Sequence, residues 1–246
     1  MYPAFLHFSH SPSRLFRLTA MHLHDRFAEF LSASEIIEAT PALLNDQRRR
    51  FISSPDIVLQ PNSVESVQKI MRFCFENRIR VTPQGGNTGL CGATVTTEGV
   101  LLNLSKLNRI RDINLADNSM TVEAGVILQN AQKAAAEVGR LFPLSLASEG
   151  SCQIGGNIAC NAGGLNVLSY GSMRDLVLGL EVVLPNGELV SHLQPLHKNT
   201  TGYDLRHLFI GSEGTLGIIT AATLKLFAQP KTKATAWVGL DDIESA

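Results

Sequence analysis

The sequence lacks the patterns that mark several large classes of protein. No apolar stretch approaches the ~20 residues needed to cross a bilayer, so no membrane span is predicted. The 21 basic and 22 acidic residues form no basic stripe, which argues against nucleic acid as the main partner. With 44% hydrophobic and 17% charged residues, the 246-residue chain has a globular composition and suffices for one large domain or two small ones.

The cysteines show none of the spacings of a metal site or a disulfide framework. Cys74, Cys91, Cys152 and Cys160 include no C-x-x-C pair, and no histidine lies beside one of them at ligand spacing. We therefore predict no metal site, no disulfides and a reducing, cytoplasmic compartment. Cys152 and Cys160 are expected to be small buried thiols without a redox role.

Acidic side chains are absent from the first 24 residues, which carry Arg14 and Arg17 among several serines. We interpret this segment as a disordered extension, with Met21 as an alternative start of translation. The second interpretation is an organelle transit peptide, which would place the protein in the mitochondrion. Apolar residues in 22–50 recur at helical spacing, so residues 1–44 are predicted to form an N-terminal extension with short helices.

A strand–helix–strand unit is predicted from residue 57 onward. The apolar run 57–59 indicates a strand, after which Asn62 or Ser63 caps a helix with an apolar stripe that ends near Asn77. Residues 80–82 then form a second strand. Further strands are predicted at 94–96, 100–102, 120–123, 176–184, 188–192 and 218–227, and further helices at 126–138 and directly after Asp204.

The tripeptide Gly-Gly-Asn occurs twice, at 85–87 and at 155–157, each time within a longer run of small residues. Glycine has no Cβ, so consecutive backbone N–H groups can approach an anion closely and form a nest around it. Two nests in one domain suggest one extended anionic ligand that is held at two places. A dinucleotide fits that description better than a single phosphate does.

The surroundings of these loops argue against two common nucleotide-binding folds. The first loop follows a second strand and precedes strand-like segments, whereas a Rossmann loop joins the first strand to a helix. No Lys-Ser/Thr pair follows the glycines, so a P-loop NTPase is disfavoured.

Three segments in this order, 83–90, 149–164 and 202–220, together resemble the FAD-linked oxidases, also called the vanillyl-alcohol oxidase or PCMH-type flavoproteins. The resemblance covers roughly residues 45–240. Within the family the chain is most similar to the branch that contains D-2-hydroxyglutarate dehydrogenase, D-lactate dehydrogenase and a flavoprotein component of glycolate oxidase. The stretches that indicate this branch are 84–89, 150–157 and 202–205.

The resemblance implies an α+β fold, the PCMH-type FAD-binding domain of two α/β subdomains with the flavin between them. We expect this domain at 45–230, with subdomains at roughly 45–125 and 126–230. Residues 231–246 resemble the first strand and helix start of a substrate-binding cap domain, so the chain is expected to be truncated before the cap. In this branch the cap carries the metal-binding histidines and the substrate-binding arginine, and we assign neither a catalytic residue nor a metal ligand here.

The resemblance also implies which residues bind the cofactor. The first glycine loop would wrap the FAD pyrophosphate, the second would line the pyrophosphate and the isoalloxazine edge, and the third segment would reach the adenosine and ribityl parts. The implied cofactor-binding residues are Pro83, Gln84, Gly85, Gly86, Asn87, Thr88, Gly89, Leu90, Pro143, Glu149, Gly150, Ser151, Ile154, Gly155, Gly156, Asn157, Ala159, Asn161, Gly163, Gly164, Glu213, Gly217 and Ile218.

Departures from the family pattern are small. Gly92-Ala93 stands where Gly-Gly is common, Cys160 where Thr is common, and Thr200 where the most similar branch has Asn. Each exchange is of like for like, so FAD binding is still expected. Some family members attach flavin through a histidine in the first glycine loop, which has no histidine here, so the resemblance implies non-covalent FAD.

Polar residues near the third segment are given structural roles. His192, His197 and His207 lie near the predicted hairpin, where a solvent-facing or structural role is favoured over that of a catalytic base. Asp204 is expected to form a hydrogen-bonded pair with Tyr203 that holds the loop before the short helix.

Three hypotheses of function follow. The first is the FAD domain of a D-2-hydroxy-acid dehydrogenase, which takes a hydride from its substrate and passes electrons to a separate acceptor. The second is a module that binds FAD without turnover on its own, and the third is a reductase of the MurB type. The stretches 202–205 and 213–220 favour the first over the third. The implied partners are FAD, a 2-hydroxy acid in the full-length enzyme and an electron acceptor, and a homo-oligomer is left open.

Overall fold

The computed structural model describes residues 20–245. The interpretations of the first 19 residues, as a disordered extension or a transit peptide, lie outside that part of the chain. Within residues 20–245 no helix is long and apolar enough to cross a bilayer.

The N-terminal half is built on a four-stranded sheet. Its strands are β1 (Ile36–Ile37), β2 (Ile57–Leu59), β3 (Val81–Gln84) and β4 (Val100–Asn103). Strand β4 pairs in parallel with both β2 and β3, while β1 pairs antiparallel with β2 at the edge. Helix α3 (Val64–Glu76) connects β2 to β3, as a parallel crossover requires.

The first residues of the described chain cover this sheet. Helix α1 (Ala20–Ala28) buries Phe27, whose ring centroid lies 5.0 Å from that of Phe73 in α3. A short 3-10 helix (Ala33–Glu35) and helix α2 (Pro41–Leu44) follow. The predicted short helices are confirmed, and β1 between them was missed because it spans only two residues.

Helix α3 confirms the sequence-based prediction at both ends. The Ser63 Oγ accepts a hydrogen bond of 3.1 Å from the Ser66 N–H, which satisfies one of the free amides at the helix start. Asn77 caps the other end. The apolar stripe is buried against the first sheet, and its members are Val67, Ile70, Met71, Phe73 and Cys74.

The C-terminal half is built on a five-stranded antiparallel sheet. Its strands are β5 (Ile110–Asn114), β6 (Ser119–Glu123), β8 (Val177–Val183), β9 (Leu189–His192) and β10 (Ile218–Lys225). Their order is β5-β6-β10-β8-β9, and β8 and β9 form the predicted hairpin. A separate ribbon pairs β7 (Arg140–Leu141) with β11 (Phe227–Ala228).

Helices cover the apolar face of this second sheet. They are α4 (Leu128–Glu137), α5 (Ile154–Ala159), α6 (Val167–Tyr170), α7 (Met173–Leu176) and α8 (Arg206–Phe209). Leu128, Ile154 and Ile158 are fully buried together with Phe142 in one core cluster. The other cluster, around α3, also takes in Ala124, Val183 and Ile218, so the two sheets share core residues.

The fold class is confirmed: the chain mixes helices with a partly parallel and an antiparallel sheet. Two local predictions require correction. Residues 94–96 form no strand, because the Thr96 N–H and C=O bond to Ser53 and Ser54 instead of a neighbouring strand. The predicted strand 176–184 begins one residue later, after α7, which is capped by Ser172 and Asp175.

The predicted subdomain division near residue 125 also differs from the sheet boundary. Strands β5 and β6 precede residue 125 but belong to the second sheet, because β6 pairs with β10 along its whole length. The sheets therefore divide between Asn103 and Ile110. Residues 231–245, which resemble a strand and a helix start in sequence, form neither in this structure and are exposed throughout, with Trp237 100% accessible.

Candidate cofactor cleft

A cleft of about 80 Å³ opens where the three glycine-containing segments meet, between the two sheets. All three predicted segments contribute to its wall. The predicted residues on the wall are Pro83, Gln84, Gly85, Gly155, Gly156, Ala159, Glu213, Gly217 and Ile218.

The two Gly-Gly-Asn copies pack directly against each other, but only the first, at 85–87, is a loop; the second, at 155–157, lies within helix α5. The expectation of a second loop-type nest is wrong, because the N–H groups of Gly155 and Asn157 already bond to backbone carbonyls. A Cβ placed on Gly86 would collide with the carbonyl oxygen of Ser151, so only glycine permits this approach. A Cβ on Gly85 would lie 3.4 Å from Gln153 Oε1 and 3.8 Å from the Cα of Gly156. The two copies of the tripeptide are thus neighbouring parts of one site.

The third segment closes the cleft from the other side. The N–H of Glu213 donates a 2.9 Å hydrogen bond to the carbonyl of Ala159 at the end of helix α5. A Cβ on Gly214, whose φ is +79°, would collide with the ring of Pro83 in the first loop. The third segment therefore touches both of the others.

Three predicted site residues hold a left-handed backbone although they are not glycine. The φ angles are 52° at Asn87, 48° at Asn161 and 52° at Glu213. Asparagine tolerates this region well, whereas a glutamate there is uncommon and is retained only where the surroundings enforce it. Each of the three glycine-containing segments has one such residue, which fixes the course of its backbone around the cleft.

Side chains of the first loop are used to anchor it. Asn87 Nδ2 donates to the carbonyls of Asn45 (2.7 Å) and Ala42 (3.1 Å), and its Oδ1 accepts from Thr94 Oγ1 at 2.8 Å. Gln84 is buried and donates through Nε2 to the carbonyl of Leu43. These two side chains hold the loop in place, and its glycines present bare backbone.

Other predicted site residues lie outside the cleft wall. Ile154 is fully buried in the core, and Asn157 Nδ2 points at Cys152 Sγ, 3.5 Å away. Asn161 Oδ1 accepts a hydrogen bond from the Arg174 N–H. The further predicted residues not on the wall are Gly86, Asn87, Thr88, Gly89, Leu90, Pro143, Glu149, Gly150, Ser151, Gly163 and Gly164.

The wall also contains residues that the sequence-based prediction missed. They are Ala93, Thr94, Leu104, Ala124, Cys160, Gly214 and Ile219. Ala93 and Thr94 directly extend the first glycine run, which was a usable signal. Ala124 had no signal in the sequence, because its place at the wall follows from the pairing of β6 with β10. It lies so close to helix α5 that a Cβ on Gly155 would be only 2.6 Å from the Cβ of Ala124.

Among the wall residues only Cys160 and Glu213 carry ionisable side chains. Cys160 is exposed and not buried as expected. Partial desolvation of its thiol by the surrounding protein still raises the pKa of Cys160, and the negative charge of Glu213 raises it further. Cys160 is therefore a neutral thiol near pH 7. All four cysteines are free, and within residues 20–245 no group of three His, Cys, Asp or Glu side chains is placed to hold a metal ion.

The cleft fits part of a dinucleotide. Nothing lies within 4 Å of the Cβ position of Gly156, so its backbone is open to a ligand. Gln153 Oε1, beside Gly85, is buried and has no hydrogen-bond partner. Bare glycine backbone suits the phosphates of such a ligand, and about 80 Å³ has room for part of a dinucleotide but is too small to enclose a whole one.

A second, larger groove of about 490 Å³ lies between strands β8 and β9 and residues 194–206. Here the expected pair of Asp204 with Tyr203 is wrong: Asp204 bonds to Arg206 (2.8 Å) and to His207 Nε2 (3.2 Å), while Tyr203 is 95% exposed. Burial raises the pKa of Asp204, but the hydrogen bond and charge of Arg206 outweigh it, so the pKa lies below its ordinary value.

The histidines of this region lie away from the cleft wall. His207 Nδ1 contacts an Arg174 guanidinium nitrogen at 3.0 Å, and His197 Nε2 contacts the carbonyl of Asp117 at 2.6 Å. His192 lines the groove and not the cleft.

Known proteins share this sequence and fold. Residues 55–192 match a family model described as FAD binding domain. Over 225 residues the chain is 39% identical to the D-2-hydroxyglutarate–pyruvate transhydrogenase of Saccharomyces cerevisiae, and the match covers 89% of this chain and 45% of that protein. Over 192 residues it is 44% identical to the mitochondrial D-2-hydroxyglutarate dehydrogenase of Danio rerio, covering 78% of this chain and 36% of that one.

A solved structure of alkyldihydroxyacetonephosphate synthase superposes with a TM-score of 0.74 at 20% identity, covering 85% of this chain and 39% of that chain. At this identity the likeness concerns the fold alone. The chain spans less than half the length of each of these relatives.

Proposed function

The chain belongs to the FAD-binding domain family, and on that premise we propose that the cleft between its two sheets holds FAD non-covalently. The observation that carries the proposal is the meeting of three separate glycine-containing segments at this one cleft. Glycine is sterically required at Gly86 and Gly214, while the backbone of Gly156 stays open. Glycines that served only to form turns would need neither this close packing against neighbouring backbone nor an open face toward the cleft.

Each wall has a proposed part of the cofactor to bind. The backbone of 83–90 surrounds the pyrophosphate, 149–164 continues along the pyrophosphate to the isoalloxazine edge, and 213–218 reaches the adenosine and ribityl parts. Because several predicted contacts lie outside the present cleft wall, FAD must extend beyond it or part the loops on entry. The division into two subdomains, and residues 231–246 as the start of a cap, belong to the same proposal.

For the longer protein we propose the oxidation of a D-2-hydroxy acid, of the D-2-hydroxyglutarate or D-lactate type. When bound, FAD supplies hydride acceptance at N5 from the substrate Cα–H, and the electrons pass to a separate acceptor. This chain's residues bind and orient the cofactor and exclude water from it. Support comes from relatives named for D-2-hydroxyglutarate and D-lactate.

The alternative is that this chain binds FAD without turnover. A specific observation favours it: apart from Glu213, no wall residue has a side chain suited to accept a proton at neutral pH, because Cys160 has a raised pKa. Proton transfer from a substrate hydroxyl then falls to Glu213 or to a group outside the cleft wall.

The visible spectrum of the purified chain, reconstituted with FAD, tests both proposals. Retention of a flavin absorbance through gel filtration is expected, and a colourless protein would refute the FAD proposal for this chain. Anaerobic addition of D-2-hydroxyglutarate or D-lactate then separates the alternatives. Bleaching supports dehydrogenase activity of the chain itself, whereas unchanged absorbance supports a binding module.

The cellular location also belongs to the proposal. Several relatives carry the word mitochondrial in their names, among them those of Danio rerio, Bos taurus and Schizosaccharomyces pombe. These names support the mitochondrial alternative, and the cytoplasmic location stays a prediction. Imaging of the chain fused at its C-terminus to a fluorescent protein would decide between the two.

A further inference from the structure

Gln153 has a buried amide oxygen whose hydrogen-bonding capacity is unused. Among residues 20–245, Gln153 Oε1 is the only buried side-chain oxygen or nitrogen without a hydrogen-bond partner. The residue is 7% exposed, so bulk water does not satisfy this oxygen. A buried acceptor without a partner lowers the stability of the folded state, and an exception of this kind requires an explanation.

The backbone around Gln153 is fixed. Gln153 forms a β-bridge with Ile127 on one side, and its carbonyl accepts a 2.9 Å hydrogen bond from Asn157 N–H in helix α5 on the other. The orphaned oxygen is therefore not the result of a loose segment that has drifted away from its partner.

The oxygen lies at the seam between the first two glycine-containing segments. It is 3.4 Å from the Cβ position of Gly85, and the Cα of Gly156 lies 3.8 Å from that same position. Gly85 and Gly156 both line the cofactor cleft. Gln153 is not itself on the cleft wall, so contact with a ligand requires rotation of its amide, which no side chain of Gly85 or Gly156 obstructs.

We propose that Gln153 is a positioning residue for FAD, whose Oε1 accepts a hydrogen bond from a hydroxyl or N–H donor of the bound cofactor. The inference rests on the proposed function and goes beyond it, since it assigns a side chain where the glycine loops offer only backbone. FAD carries such donors on its ribityl chain, its ribose, its adenine and its isoalloxazine ring. The unpaired acceptor thus destabilises the FAD-free protein and stabilises the complex with FAD.

One substitution should therefore raise the stability of the FAD-free protein and lower its affinity for FAD. Gln153→Met keeps the length of the side chain and removes the acceptor. The FAD-free protein should become more stable, with Tm higher by about 2–6 °C. The dissociation constant for FAD should rise by about 5–30-fold, because the cofactor loses one hydrogen bond.

The matched control is Gln68→Met on helix α3. Gln68 Nε2 donates a 3.1 Å hydrogen bond to the carbonyl of Gly187 and lies outside the cleft wall. Its replacement should lower the Tm of the FAD-free protein and leave FAD affinity unchanged. Tm is read by calorimetry on FAD-free protein, and affinity by quenching of flavin fluorescence.

The same titration with ADP locates the donor. A loss of ADP affinity in Gln153→Met would place the donor on the adenosine half, and a loss seen only with FAD would place it on the flavin half.

The outcomes separate this inference from the proposed function. If the unchanged chain binds no FAD, the proposed function fails and the inference falls with it. If the unchanged chain binds FAD and Gln153→Met binds it equally well, only the inference is overturned. A Gln153→Met protein that is less stable than the unchanged chain when free of FAD, or does not fold, also overturns it.

Discussion

At the scale of single residues, glycine has two different tasks around the cleft. Gly86 is needed for packing, because its α-carbon lies against the Ser151 carbonyl and no side chain fits between them. Gly156 has nothing within 4 Å of its Cβ position, so packing within the protein does not require a glycine there. The sequence repeat makes the two positions look equivalent, whereas their surroundings make them different.

This difference gives a matched pair of substitutions. Gly156→Ala adds a methyl group to helix α5 without a clash, so the FAD-free protein should be as stable as before or more stable by about 0.5–1 kcal/mol. The methyl group projects toward the cleft, and FAD affinity should fall by about tenfold, or ~1.4 kcal/mol. Urea unfolding and flavin fluorescence measure the two quantities.

The companion substitution, Gly86→Ala, should cost about 1–3 kcal/mol of unfolding free energy even without FAD, since it overpacks the seam. Unchanged FAD affinity in Gly156→Ala would show that the backbone there does not touch the cofactor.

At the scale of secondary-structure elements, a buried ionic network ties four strands of the second sheet together. Arg111 from β5 lies between Glu123 of β6, at 3.3 Å, and Glu181 of β8, at 3.0 Å. Thr220 of β10 donates a 2.9 Å hydrogen bond to Glu181. Glu123 is only 1% exposed and is also bonded to Arg109, so each carboxylate depends on its cationic partners.

Removal of the shared cation should therefore be costly. Arg111→Met leaves two buried carboxylates with fewer partners, and the unfolding free energy should fall by about 3–5 kcal/mol. The control is Arg80→Met, which breaks an exposed ion pair with Glu98 and should cost less than about 1 kcal/mol. Equal losses in the two variants, measured by urea unfolding at pH 7, would contradict the stabilising role of the network.

The network also predicts acid sensitivity. Burial raises the pKa of Glu123, but the hydrogen bonds of Arg109 and the charges of Arg109 and Arg111 outweigh it, so the pKa lies below its ordinary value. A carboxylate with a lowered pKa stabilises the fold above the pKa of the unfolded chain, about 4.3. This contribution is lost as the pH falls through the lower, folded-state value. Urea midpoints recorded from pH 7 to pH 3 should fall mainly below about pH 4.3, and less steeply in Arg111→Met.

At the scale of the whole molecule, the two sheets are not independent units. The core cluster around α3 includes Ala124, Val183 and Ile218, which belong to the second sheet or its edge. Gln68 of α3 also bonds to the hairpin at Gly187. The cofactor cleft lies at this same junction, so a ligand there contacts both halves at once.

We accordingly expect one unfolding transition in calorimetry, and we expect FAD to move it as a whole. At a free FAD concentration 100 times its dissociation constant, the added stability should be about 2.7 kcal/mol. Two separate transitions, of which FAD shifts only one, would contradict the shared core.

The sequence predicted those features that depend on neighbouring residues. Ser63, the apolar stripe of α3 and Asn77 lie within one helix, so local propensity and capping were sufficient to predict it. The hairpin of β8 and β9 follows from its Asn186-Gly187 turn in the same way. The glycine segments were found because close backbone approach leaves a direct mark on the choice of residue.

Features that depend on residues far apart in sequence appeared only in the folded chain. Strands β5 and β6 belong to the second sheet because β6 pairs along its whole length with β10, which lies about a hundred residues later in the chain. The same pairing brought Ala124 to the cleft wall, and the packing of the first two glycine-containing segments left Gln153 Oε1 without a partner. The sequence by itself determined the glycine-rich segments of the proposed FAD site and the α+β class. Only the tertiary structure decided which wall residues face the cleft, because long-range strand pairing and loop packing set those distances.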